Sequence, residues 1–227
     1  MKKNICQFFI LILLAMLSSP LLAQQDKLGN WLMYFGTNRL SDNWSIHSEI
    51  QYRNHTLEPV NIEQLLLRTG LNYHMAKNAI VTFGYGYIAS HDFESEQKAP
   101  ESKEHRIFQQ LILTNKISRL KFEHRFRVEQ RWINSNYKNR IRYRLMAFLP
   151  LNKPTITEGT VFLGIYDEIF LNTKAIIFDR NRLYGALGYQ FNETVQVQLG
   201  YLYQRVNDFG KSYLQVGLVF NPDFRKE

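Results

Sequence analysis

Between Lys121 and Arg144 the chain reads KFEHRFRVEQRWINSNYKNRIRYR. Lys121, Glu123, Arg125, Arg127, Glu129 and Arg131 share one parity; Phe122, His124, Phe126, Val128, Gln130 and Trp132 share the other. Arg140, Arg142 and Arg144 repeat the charged parity, so seven bases meet two acids, an excess of five positive charges. Guanidinium groups at this density bind carboxylates or phosphates, and rings of Arg or Lys select anions in pores. Glu49, Arg53, Arg68, Glu168 and Arg182 are further charges on the polar parity of other segments. Folding of the central hairpin about residues 135–136 sets Arg131 opposite Arg140, Glu129 opposite Arg142 and Arg127 opposite Arg144. An Arg facing an Arg is unfavourable, so flanking carboxylates, water or a bound anion must relieve it.

Other chemistries have weaker support. His91, Asp92, His105, Asp167 and Glu168 are the candidates for proton transfer at a barrel rim, but no Ser–His–acid set falls on neighbouring segments. No catalytic residue is assigned on that pattern, and enzyme activity is not expected. His47, His55, His74 and His124 are scattered, without metal-ligand spacing and a supporting carboxylate, so no metal is implied. The glycines of FGYGY and YGALGY lack the strand–loop–helix context of a nucleotide site; they relieve crowding or allow curvature, and no cofactor is expected.

The elements that must carry these residues begin after an N-terminal leader. MKKNICQFFILILLAMLSSPLLAQQ has two lysines, an apolar run from Phe8 to Leu17 and small or turn residues before Ala23. That is the layout of a signal peptide over residues 1–23. The run is short for a spanning helix, which needs about 20 apolar residues. Cys6 is the only cysteine and leaves with the leader, which excludes disulfides and thiolate chemistry from the mature chain. Residues 24–227, 204 in all, suit one domain. Twenty-six basic residues against 20 acidic ones leave a net charge of +6. Export and the interleaving of charged with apolar residues argue against nucleic acid as the partner.

Period-2 alternation recurs over eleven segments: about 30–39, 43–57, 61–75, 79–91, 104–116, 119–133, 139–150, 159–171, 178–191, 194–206 and 211–220. Many exceed the usual strand of roughly 5–6 residues and reach the about 9–11 that cross a bilayer. Residues 41–43, 76–78, 118–119, 151–159 and 192–194 connect alternate segments; 58–60, 91–103, 134–139, 172–178 and 207–211 connect the others and include the longest loop. Outer-membrane barrels have short periplasmic turns and longer outside loops, which assigns the first class to the periplasm. The sequence therefore predicts an all-β antiparallel transmembrane β-barrel of about 10–12 strands. Ten result if 30–39 is a partial extra strand, twelve if 24–29 is a short first one.

The apolar parities carry Trp44, Tyr52, Tyr73, Tyr87, Trp132, Tyr189 and Tyr203 near segment ends. Rings with a polar edge favour the two water–lipid interfaces, which points that parity at lipid and the charged one at the lumen. Segments 104–116 and 159–171 fit this division poorly, since His105, Gln109 and Asp167 share a parity with aliphatic residues.

WLMYFG at 31–36, FEHRFRVEQRW, NRIRYRL at 139–145, YDEIF at 166–170 and NRLYGALGYQ at 181–190 occur in this order. Together they resemble the bacterial domain of unknown function 2490 family. The resemblance implies an exported outer-membrane barrel and lends the charged positions no role. The expected location is the outer membrane of a Gram-negative bacterium, with outer-membrane lipids and the barrel-insertion machinery as partners. The expected function is porin-like: a narrow anion-preferring pore, or a barrel that binds a small solute. The alternatives are a structural envelope barrel with a closed, ion-paired lumen and a lipid-modifying enzyme.

Overall fold

The computed structural model describes residues 28–93, 99–174 and 176–225. The expected signal peptide lies outside them. Eleven strands follow in order: β1 Gly29–Arg39, β2 Trp44–Asn54, β3 Ile62–Ala76, β4 Ala79–Ser90, β5 Ser102–Ile117, β6 Leu120–Ile133, β7 Asn136–Pro150, β8 Thr160–Asn172, β9 Phe178–Gln190, β10 Val195–Val206 and β11 Phe209–Phe220. Each pairs antiparallel with its sequence neighbours, and the sheet closes into a barrel. Closure leaves neither terminal strand with an open edge of unpaired backbone groups.

Eleven strands lie within the expected range but correct both routes to an even count. β1 is a full strand bonded on both edges. Gly29 belongs to it, and residues 24–27 fall outside the described chain. In an odd meander the first and last strands run in the same direction, so the seam must be parallel. It runs from Gly29↔Tyr213 to Gly36↔Phe220. After β11 the chain stays beside β1: Asn221 Oδ1 accepts the Thr37 N–H at 2.9 Å, and Phe224 N–H donates to the Arg39 carbonyl at 2.9 Å. Hydrogen bonds from Arg225 hold the Asp223 carboxyl down at about 2.

The turns set the register. Asn134 and Ser135 have φ of 44° and 73°, the backbone of a two-residue hairpin with both central residues left-handed. The expected six-residue loop at 134–139 is therefore a two-residue turn, with Ile133 opposite Asn136. This moves the β6–β7 pairing by two residues. Glu129 faces Arg140, Arg127 faces Arg142 and Arg125 faces Arg144. The earlier pairing of Arg131 with Arg140 is wrong, because it centred the turn one residue too late. Connections 40–43, 77–78, 118–119, 151–159 and 191–194 lie at one end, the first rim. Residues 55–61, 91–93, 99–101, 134–135, 173–174, 176–177 and 207–208 lie at the other, the second rim.

Alternation along each strand turns polar side chains inward and apolar ones outward, which inverts the usual core. Phe83, Phe126, Ile165 and Leu199 are exposed, whereas Glu129, Arg127 and Glu168 are buried. Inside, Trp31, Met146, Tyr184, Leu202 and Tyr213 form one apolar cluster. Two inward glycines explain part of the packing. Gly84 lies opposite Phe108 and Gly188 opposite Phe162, and both rings occupy the space a Cβ would need. Both phenylalanines are fully buried, so neither ring can swing into water. Gly188→Ala is expected to destabilise the protein by about 1–3 kcal/mol through overpacking. Gly185→Ala, where a Cβ meets nothing within 4 Å, should stay within about 0.5 kcal/mol of the wild type. Urea titration of both folded variants in detergent checks the difference; equal midpoints would refute the packing account.

Candidate functional site

The lumen holds a cavity of about 570 Å³ lined by charged side chains from most of the strands. Arg53, Arg68, Arg106, Arg127, Arg131, Arg140, Arg142 and Arg182 are buried, as are Glu49, Glu104, Glu129 and Glu168. Eight cations against four anions leave an excess of four positive charges among the buried described residues. Burying an unpaired charge is expensive, so the pairing of each arginine decides what the lumen can do.

Three glutamates act as nodes. Glu129, 0% exposed, accepts from Arg140 Nη2 at 2.6 Å and Arg142 Nη1 at 2.7 Å. Arg127 lies 3.8 Å and Arg106 4.0 Å from the same carboxylate. Glu168 accepts from Arg125 at 2.6 Å and Arg142 Nη2 at 2.7 Å. Glu104 holds Arg106 and Arg131, each with a 2.5 Å bond from Nε. Glu49 pairs with Arg68 at 2.5 Å and with His47 Nε2 at 3.1 Å. Glu123 is ion-paired with Arg144. Arg140 also reaches Asp179 at 2.8 Å.

These nodes relieve the three direct Arg–Arg pairs, of which Arg106 and Arg131 share Glu104. Arg125 and Arg144 lean on Glu168 and Glu123 respectively, and Arg142 bridges Glu129 and Glu168. Aromatic faces do the rest, since a ring's negative face attracts a guanidinium. Phe108 lies under Arg127 and Arg68 at 4.9 and 5.4 Å, and Phe170 under Arg142 and Arg182 at 4.2 and 4.8 Å. Lys121 lies 5.9 Å from the Phe148 ring.

Two buried arginines have no carboxylate within 4 Å among the described residues. Arg53 donates only to Gln51 and Gln64, and Arg182 only to Gln204. Arg127 comes next: Gln110 takes its Nε and Nη2, and its buried Nη1 makes no hydrogen bond.

Glu104 and Arg106 were missed in the sequence. They share a parity with Phe108, Gln110 and Ile112, and the mixture hid a second charged strand beside β6. The signal was present in the E-x-R spacing, which matches Glu123-x-Arg125.

The aromatics fall outside the barrel near its two ends. Trp44 lies opposite Tyr73 with rings 4.8 Å apart, and Tyr189 meets Phe191 at 4.7 Å, both at the first rim. Tyr52, Tyr87 and Tyr203 lie toward the second rim, where Trp132 meets Tyr137 at 5.2 Å.

The candidates for proton transfer are not brought together. His105 faces outward and shares a 2.6 Å hydrogen bond with the Tyr85 hydroxyl. Asp167 also faces outward and accepts twice from Asn181, at 3.1 and 3.0 Å, while Glu168 points inward. His55 Nε2 donates to the carbonyl of His91 at the second rim. No group of three or more His, Cys, Asp or Glu able to hold a metal occurs among the described residues.

A family model described as "Protein of unknown function (DUF2490)" matches residues 28–215. No curated protein and no solved structure matches the chain.

Proposed function

The chain belongs to the DUF2490 family, whose name carries no activity, and from its own geometry we propose an outer-membrane barrel whose basic lumen takes small anionic solutes. The observation that carries the reading is the buried excess of four positive charges around a cavity of about 570 Å³. Positive potential in a low-dielectric channel raises the local anion concentration. The apolar outer face between two aromatic girdles supports insertion in a bilayer. The first-rim connections are the periplasmic ones in this reading, and outer-membrane lipids and the insertion machinery are its partners. A closed structural barrel is the second reading, and the node at Glu129 favours it, because it neutralises arginines of three adjacent strands, β5, β6 and β7, without a bound solute.

Purified protein in planar bilayers under a salt gradient separates the two. The expected result is a reversal potential favouring anions. Arg53→Glu combined with Arg182→Glu should weaken that preference, because neither residue belongs to the ion-pair nodes. Zero conductance above the bare bilayer, in protein verified as folded and inserted, rejects passage and leaves the closed barrel. A preference for cations rejects the charge argument.

A further inference from the structure

We propose that the lumen contains a defined site for one oxyanion group, a carboxylate or a phosphate, gripped by the free fork of Arg182 beside Trp31 and Arg53. The site rests on the reading of the lumen as open to small anions.

Arg182 is 6% exposed, and its Nε donates to Gln204 Oε1 at 2.8 Å. Its two Nη atoms have no partner among the described residues. The guanidinium lies near two rings, 4.8 Å from the Phe170 centroid and 4.9 Å from that of Trp31. Two ring contacts and the bond to Gln204 restrain the guanidinium, so the unused fork is held ready for an oxyanion. On Trp31 a second guanidinium, that of Arg53, lies 4.0 Å from the centroid and bonds only to neutral glutamines. The acids facing this pair are engaged elsewhere. Glu168 is taken by Arg125 and Arg142, and Glu63 by Lys211 at 3.1 Å and the Tyr213 hydroxyl at 2.9 Å.

Two unpaired donors lie in the wall beside Arg53 and Arg182. Trp31 and Gln215 are register partners across the parallel seam, both line the cavity, and both are nearly fully buried. Trp31 Nε1 and Gln215 Nε2 have no acceptor. Buried donors are almost always satisfied, and here two orphan N–H groups adjoin two uncompensated cations. Those two N–H groups are sealed from the cavity and add polarity to its wall, whereas the Nη atoms of Arg182 face it, and the partner they lack is an acceptor with negative charge. A bidentate oxyanion matches the fork of Arg182, as carboxylates and phosphates do generally.

Trp31 reports on its own site once the two outward indoles are removed by Trp44→Phe and Trp132→Phe. Folded full-length protein in detergent is titrated with inorganic phosphate or with acetate, at constant ionic strength set by sodium chloride. Trp31 fluorescence should change saturably with at least one of them, and the arm that saturates names the anion class. Arg182→Gln should weaken the apparent affinity by about tenfold or more. Arg205→Gln, exposed on the outer face, should leave it unchanged. Should Arg182→Gln fail to fold, Arg182→Lys keeps the charge without the fork and must also bind more weakly. A response to neither anion, or undiminished affinity in the folded Arg182 variant, overturns the site. Failure of binding with anion-selective conductance intact overturns the site alone. Saturable binding in protein without conductance upholds the site and overturns only passage.

Discussion

Glu129→Gln is expected to cost about 3–5 kcal/mol of folding stability, the penalty for stranding buried charges without their counterion. Glu129 is fully buried and accepts directly from Arg140 and Arg142, with Arg127 and Arg106 within 4.0 Å. Three of these arginines keep another carboxylate: Arg140 has Asp179, Arg142 has Glu168 and Arg106 has Glu104. Arg127 has none among the described residues, and it already faces Arg142 across the hairpin. Removing one negative charge raises the buried excess from four to five cations. Glutamine retains the shape of the side chain, so the loss reports charge rather than a cavity. Glu123→Gln is the comparison. Its pair with Arg144 is only partly buried, at 20% and 18% side-chain exposure, and cavity water can solvate the arginine left behind. About 1–2 kcal/mol is expected there. Urea unfolding of both variants in lipid vesicles measures the two losses. Wild-type stability in Glu129→Gln would show that solution anions, not Glu129, neutralise the centre of the lumen.

Much of this arrangement was legible in the sequence because a strand has a period of two. A residue's face follows from its parity, so the inward row Lys121 to Arg131 needed no knowledge of its neighbours. Pairing across strands is different, because it depends on where the turn closes. The N-S-N-Y-K-N stretch reads as a loop by composition, yet Asn134 and Ser135 alone make the turn. A shift of two residues preserved every face and changed every partner, so Glu129 meets Arg140 rather than Arg142. Strand number was readable only as a range, since the direction of the seam is a property of the closed sheet. Segments 104–116 and 159–171 read poorly because the outer face is not purely apolar. Gln109 and Gln130 exchange hydrogen bonds of 3.2 and 3.1 Å with each other, and Asp167 is paired with Asn181. Polar residues satisfied in pairs on the outer face blur the alternation without reversing it.

Phe126→Arg tests the environment of that outer face, and it is expected to lower stability in lipid vesicles by about 2–4 kcal/mol, the cost of an arginine near the bilayer midplane. Phe126 is 45% exposed at the middle of β6, with Leu111 and Tyr143 as its cross-strand neighbours. Its ring lies 4.9 Å from that of Tyr143 on the same outward face. The girdle residue Trp132 lies six positions along the strand toward the second rim. Arg at position 126 is too far from either rim to reach water without thinning the bilayer or distorting the strand. Depth supplies the internal control. Ile117 is 63% exposed, shares the outward parity of Leu111 and Leu113 on β5 and lies beside the two-residue turn at the first rim, so Ile117→Arg should cost about 0–1 kcal/mol. A barrel that lived in water would show neither loss, because an arginine replacing an exposed apolar side chain there improves solubility. Folded yield and urea midpoints of the two variants in vesicles decide between the environments. A midpoint for Phe126→Arg equal to that of Ile117→Arg would remove the lipid belt from the account, and with it the assignment of this barrel to a membrane.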